Sequence, residues 1–211
     1  MIKKLLVCTI ILVISIAPMT IAGSFGIASG NIATADACGF GIGHFGGIVG
    51  LGDKFTSFIG TLNYGFSQYT EGRVKFGFSD ADGVDATILI GADLKYEYLD
   101  YYDANRPAPF DLAFGGFFEW ADYDNASLLQ IGGNIIGSIP YRFNGGQRLI
   151  PYGRVNLRLE RVSARGNSDS NLELGINFGT KFELSGDLAF YGEIQVDGNT
   201  GLFLGTELRA F

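Results

Sequence analysis

Residues 86–99, ATILIGADLKYEYL, alternate between two kinds of side chain. Because successive side chains of a β-strand leave opposite faces, this pattern predicts a strand with one apolar face and one charged face. Similar alternation recurs from residue 40 to residue 210, and no stretch of helical periodicity interrupts it. The feature restricts the chain to an all-β fold.

The alternating stretches are separated by short segments that contain Gly, Asn, Asp or Pro, the residues that favour turns. This arrangement predicts about ten strands in a sandwich or a barrel, or eight if the short third strand or the glycine-rich first strand is misassigned. The predicted strands are 40–51, 55–69, 73–79, 86–98, 110–121, 128–143, 149–162, 172–184, 188–196 and 202–210.

The first residues have the layout of a secretory signal peptide. Lys3 and Lys4 precede an apolar run over residues 5–17, and small residues follow up to Ala22. The run is shorter than the ~20 residues of a membrane-spanning helix, which disfavours an anchor. The sequence therefore predicts a signal peptide over 1–22, an N-terminal extension over 23–38 and a single domain over 39–211.

Charge and cysteine content exclude several classes of protein. The formal net charge of −7 becomes −9 when Lys3 and Lys4 are removed, which argues against a nucleic-acid partner. Loss of Cys8 leaves Cys38 as the only thiol, so no internal disulfide is expected. One Cys and one His also fail to supply an ordinary zinc site.

Which face of the strands points outward decides the class of protein. A soluble sandwich, or a soluble ligand-carrier barrel, would bury the apolar face. Export, the length of several strands and aromatic residues near strand ends favour a membrane barrel, in which ~9–11 residues cross the bilayer. We therefore predict a closed antiparallel up-and-down transmembrane β-barrel in the outer membrane, with its charged face in the lumen.

This fold assigns side chains to two surfaces. The residues predicted to face lipid are Ile88, Ile90, Leu94, Phe118, Trp120, Ile131, Ile135, Leu157, Ile176 and Phe178. The residues predicted to line the lumen are Lys75, Asp93, Lys95, Glu97, Glu119, Arg154, Arg158, Glu160, Glu173, Lys181, Glu193, Glu207 and Arg209.

The glycine-rich stretch GFGIGHFGGIVGLG and the last strand LFLGTELRAF, together with the export signal, resemble the small bacterial outer-membrane β-barrel proteins, the group that includes the barrel of OmpA. The resemblance implies outer-membrane lipid as the surroundings and the barrel-assembly machinery as a partner of the C-terminal strand. Phe211 departs from the family pattern, because it is in phase with Arg209 and Glu207 unless a bulge shifts the register near Ala210.

The predicted lumen carries charges of both signs in nearly equal number. A barrel of about eight strands has an interior that side chains fill, and ten strands enlarge it modestly. We therefore expect paired charges to close the lumen, with Arg154, Arg158 and Lys181 pairing with Glu160, Glu173 and Glu193 across neighbouring strands. The expected role is structural or the binding of a small solute or ligand, and the alternative is a small pore.

An outer-membrane hydrolase is a further alternative. His44 is the only histidine, and no Ser or carboxylate stands at a diagnostic spacing from it. Asp80, Asp82 and Asp85 resemble part of a calcium loop but lack the closing Glu. The sequence thus predicts no catalytic residue, no cofactor and no metal site, and we expect the protein not to be an enzyme.

Overall fold

The computed structural model describes residues 33–52, 55–81, 84–103, 108–123, 126–164, 167–196 and 200–211. The predicted signal peptide and residues 23–32 lie outside this part of the chain. Ten long strands and one two-residue strand are formed: β1 (Gly43–Gly52), β2 (Phe55–Gly65), β3 (Thr70–Ala81), β4 (Val84–Leu99), β5 (Asp111–Tyr123), β6 (Ala126–Ser138), β7 (Tyr141–Arg142), β8 (Arg148–Ala164), β9 (Asn167–Glu183), β10 (Leu188–Val196) and β11 (Gly201–Arg209).

The long strands form a closed antiparallel up-and-down barrel. Each pairs with the next along the chain, β6 pairs directly with β8, and β1 pairs with β11. This confirms the predicted barrel and its ten strands. No helix among the described residues is long and apolar enough to span a membrane. We call the end that holds the start of β1 and the end of β11 the terminal end, and the opposite end the far end.

Two strand boundaries differ from the prediction. The stretch 128–143 is divided, because β6 ends at Ser138 and the next residues turn through Pro140, which has no N–H to give to a ladder. Residues 163–171, expected to form a loop, mostly belong to β8 and β9. Most side chains in this stretch are polar, so no apolar alternation indicated a strand, although backbone pairing continues to Ala164 opposite Asn167.

The C-terminal residue reaches the outer surface through a bulge. Both Ala210 and Phe211 pair with Gly43, because the Ala210 N–H donates to the Gly43 carbonyl at 2.8 Å and the Gly43 N–H donates to the Phe211 carbonyl at 3.0 Å. Two residues opposite one shift the register by one position. The ring of Phe211 consequently lies 6.2 Å from that of outward-facing Tyr64.

The barrel interior contains two apolar clusters that the alternation did not predict. The cluster at the far end fills the lumen with inward side chains of six strands, and it consists of Ile48, Phe55, Ile59, Leu89, Ala121, Tyr123, Leu128 and Phe203. A smaller cluster joins Ala35 to Ala113, Ile136 and Tyr152. Charged side chains occupy the space that these clusters leave.

Candidate functional site: the polar lumen

The structure places charged side chains inside the barrel and apolar ones outside. Adjacent Leu94 and Lys95 illustrate the contrast, with 55% and 2% of their surface exposed. Every residue predicted to face lipid lies on the outer face, where Trp120 and Ile176 are half-buried and the others exposed. Of the residues predicted to line the lumen, Glu173 and Lys181 are half-buried, Arg209 is exposed at the terminal end, and the others are buried.

Glu193 is the centre of one buried network. Its carboxylate accepts hydrogen bonds from Arg154 at 2.7 Å, from the Tyr152 hydroxyl at 2.8 Å, and from Gln195 and Asn177. Arg154 and Glu193 each expose 1% of their surface. Because a charge without partners is costly to bury, this set of donors stabilises the carboxylate inside the barrel.

Two further groups of charged side chains are buried inside the barrel. Lys75 contacts Asp93 at 3.2 Å and is also bonded to Glu119. Arg158 lies 3.4 Å from Glu160, whose Oε2 also accepts from Gln130. The Lys75 group connects β3, β4 and β5, whereas the Arg158 group and the Glu193 network involve β6, β8, β9 and β10.

The expected pairing across neighbouring strands is wrong in its details. Arg154 on β8 reaches Glu193 on β10 past the intervening β9, and Arg158 contacts Glu160 on its own strand. Lys181 contacts Glu183 at 3.1 Å and Glu207 at 3.3 Å rather than any of the three expected carboxylates. In a closed barrel the inward side chains converge, so a partner two strands away is within reach; register alone identifies only adjacent partners.

Residues 33–38, which we call the N-terminal segment, enter the lumen at the terminal end. The Ala35 N–H donates to Ser138, and the Ala37 N–H donates to Glu97 at 2.9 Å. The Cys38 N–H donates to Glu71 at 3.1 Å. The last six residues of the predicted N-terminal extension thus lie inside the barrel.

The Lys95 side chain binds the backbone of the N-terminal segment. Its ammonium group donates to the carbonyls of Thr34 at 2.9 Å and Asp36 at 2.8 Å, and it lies 3.5 Å from Glu71. The Asp36 side chain in turn lies 3.5 Å from Arg148. Lys95, which was predicted to line the lumen, therefore anchors the N-terminal segment, whose position the strand pattern did not predict.

The sequence does contain a feature consistent with the N-terminal segment lying inside the barrel. Alanine alternates with larger polar residues through ATADAC, residues 33–38, and small side chains suit a lumen already crowded by charged groups. Gly39 and Gly41 follow, with φ of +87° and +73°. Glycine adopts this left-handed region without strain, which lets the chain leave the lumen and turn into β1.

A cavity of about 250 Å³ remains at the terminal end, between the N-terminal segment and the wall. His44, Lys181, Tyr191 and Glu207 line it, and His44 Nδ1 lies 3.4 Å from Glu207 Oε1. Among the described residues, His44 Nδ1 has no hydrogen-bond partner. Ser185, also on the cavity wall, instead accepts from the Asp187 N–H within its turn. The Cys38 thiol, which also lines the cavity, donates to the Ile42 carbonyl, so among the described residues neither Ser185 nor Cys38 is hydrogen-bonded to His44.

The Cys38 thiol is expected to be unreactive in the folded barrel. Burial, together with the carboxylate of Glu71, raises its pKa to about 12. A shift of about three units lowers the thiolate fraction ~10³-fold, and the greater nucleophilicity of a more basic thiolate offsets only part of this loss. In a chain that begins at Gly23, iodoacetamide at pH 8 should modify the folded protein at least ~10-fold more slowly than the urea-unfolded protein. Equal rates would contradict the placement of the N-terminal segment.

No protein-family model matches the chain, and no curated protein matches it. Solved structures similar to it include a de novo designed transmembrane β-barrel (TM-score 0.36, 13% identity, 81% of this chain and 97% of that chain). They also include the KdgM porin (0.40, 10%, 80% and 99%) and the N-terminal barrel domain of Pseudomonas aeruginosa OprF (0.38, 11%, 82% and 99%). These similarities assign no activity, and the resemblance to the OmpA group stays a prediction.

Proposed function

We propose that the chain is an integral β-barrel of the outer membrane of a diderm bacterium, with a closed lumen and a structural role. The observation that carries the proposal is the inverted burial: charged side chains are inside, while large apolar side chains form the outer surface. Exposed apolar surface on this scale requires an apolar solvent or partner, and a lipid bilayer covers all sides of a barrel at once.

The alternatives with a water-facing exterior fit poorly. A soluble ligand-carrier barrel needs an apolar interior, whereas Arg73, Lys75, Lys95, Arg154 and Arg158 all lie buried inside this one. A soluble sandwich has two separate sheets, but the strands here close into a single ring.

In a membrane barrel, the aromatic residues near the terminal end would lie at one lipid–water boundary; among them are Tyr96, Tyr98, Phe114 and Tyr141.

A structural role is favoured over a wide pore because the lumen is filled at three levels. The apolar cluster occupies the far end, the networks around Glu193, Lys75 and Arg158 occupy the middle, and the N-terminal segment occupies the terminal end. Small-solute binding would be confined to the cavity beside His44. In this account the C-terminal strand is also the segment that the barrel-assembly machinery would recognise.

Conductance tests the closed lumen. Purified protein in a planar bilayer should give only small and infrequent current steps, because buried apolar side chains from six strands pack together in the lumen at the far end. Removal of the N-terminal segment should leave the conductance small for the same reason, since Phe55 and Phe203 still pack there. A large and stable conductance of the intact chain would contradict the proposed closure.

We further propose that the barrel is not a hydrolase. His44→Ala should leave folding and membrane insertion intact, because Glu207 is the one ion-pair partner of the His44 side chain among the described residues. Esterase, phospholipase and protease assays of the purified barrel should all be negative. An activity that His44→Ala abolishes in a folded protein would instead support the hydrolase alternative, for which loss of a general base typically costs ~10²–10⁴ in rate.

A further inference from the structure

Three carboxylates meet at the terminal end, where β4 leads through a turn into β5. Glu97, Asp100 and Asp111 each place one oxygen atom within 4.8 Å of the other two. Calcium binds carboxylate oxygens at about 2.3–2.6 Å, so two oxygens on one ion lie at most about 5 Å apart. The spacing of the three oxygens is therefore compatible with one shared ion.

Two of these carboxylates are buried, and no cation among the described residues pairs with them. Glu97 exposes 5% of its surface and Asp111 exposes 2%. Within the described part of the chain, no Lys or Arg lies within ion-pair distance of Glu97, Asp100 or Asp111. Lys95 lies two residues before Glu97 on the same face of β4, but its ammonium contacts Glu71 and two carbonyls of the N-terminal segment. Buried negative charges of this kind need a counter-charge or a proton.

A second observation concerns a single oxygen atom. Glu97 Oε2 accepts from the Ala37 N–H, but Glu97 Oε1 is buried and has no hydrogen-bond partner among the described residues. Asp111, by contrast, accepts from the Tyr101 N–H at 2.6 Å and from Ser138 at 3.4 Å. The Glu97 carboxylate therefore keeps one buried oxygen without a donor, which is available to a ligand.

We propose that Glu97, Asp100 and Asp111 bind a divalent cation, with Ca²⁺ as the ion that fits best. The ligand set is made of hard oxygen atoms only, and calcium tolerates the irregular geometry that two strand ends and a turn provide. The bound ion compensates two of the three negative charges of the cluster. Through Glu97 and Ala37 it also fixes the N-terminal segment in the lumen, which goes beyond a purely structural barrel.

The folded barrel in detergent, stripped with EDTA, tests the proposal by calcium titration in a calorimeter and by terbium luminescence. Tyr101 and Tyr102 adjoin Asp100 and should sensitise bound Tb³⁺, which Ca²⁺ should displace. We expect one ion per chain. Glu97→Gln and Asp111→Asn should each weaken calcium binding at least tenfold, whereas Asp80→Asn, which alters an exposed acidic residue near the far end, should leave it unchanged.

Heat-modifiable migration on SDS gels identifies variants that fold. If either buried variant fails to fold, Asp100→Asn at the half-buried position provides the same measurement with less disturbance of the wall. Absence of calcium binding by the folded wild-type protein between pH 6 and pH 8 would overturn the proposal and assign the cluster to protonated carboxyl groups. Equal affinities of the wild type and the three cluster variants would overturn it as well.

Discussion

Ile131→Arg is expected to prevent stable assembly of the barrel in lipid. Ile131 exposes 52% of its surface near the middle of β6, between outward-facing Phe118 on β5 and Leu159 on β8. A charge on the lipid face near the bilayer midplane costs ~2–4 kcal/mol in barrels of this kind. The measurement is the free energy of unfolding in vesicles by urea titration, together with the fraction of folded protein on a gel.

The same substitution separates the membrane account from a soluble one. An exposed position in water accepts arginine with an effect of about 0.5 kcal/mol or less. Ser170→Arg provides the matched control, because Ser170 is exposed and polar on β9 beyond the end of β10. Equal small effects of Ile131→Arg and Ser170→Arg would mean that the outer surface faces water.

Arg154→Met should be the most damaging change inside the lumen. It leaves Glu193 buried without its charged partner, and breaking one half of a buried ion pair costs about 3–5 kcal/mol. The free energy of unfolding in detergent or vesicles measures the effect. Adding Glu193→Gln to Arg154→Met should recover part of the loss, because the unpaired charge is then gone while the donors Tyr152 and Asn177 keep an acceptor.

Arg161→Met is the control for Arg154→Met. Arg161 lies on the same strand but on the opposite face and is exposed, and among the described residues its side chain makes one long contact, at 3.4 Å with Ser168. Its replacement should change the stability by no more than about 1 kcal/mol. If Arg161→Met lowered the free energy of unfolding as much as Arg154→Met, the effect of Arg154→Met could not be attributed to its ion pair with Glu193.

Alternation with a period of two was sufficient to predict the barrel because a strand has only two faces. It assigned Leu94 and Lys95 to opposite faces without any knowledge of their partners, and in the structure they expose 55% and 2% of their surface. The same reasoning failed at 163–171, where side chains on both faces are polar and the ladder is held by the backbone alone. It also failed at Pro140, where a missing N–H ends a strand whose side-chain pattern continues.

Contacts inside the lumen were beyond the reach of the pattern. Arg154 and Glu193 meet because the wall curves, and curvature depends on the closure of the entire ring rather than on any one strand. Ala35 and Asp36 belong to no strand, so periodicity says nothing about them. The grouping of Glu97 with Asp111 likewise depends on the register of β4 against β5, which the periodicity of a single strand does not determine.

In the proposed function the barrel is turned inside out relative to a soluble protein, and its apolar outer surface lies in a lipid bilayer. Fractionation of cells that express the full chain tests it most directly, with membranes washed in alkaline carbonate and then in urea before extraction. The account predicts that the protein stays with the outer-membrane pellet through both washes and is released only by detergent, as a folded, heat-modifiable band. Recovery of a folded, monomeric protein in the soluble fraction without detergent would contradict it.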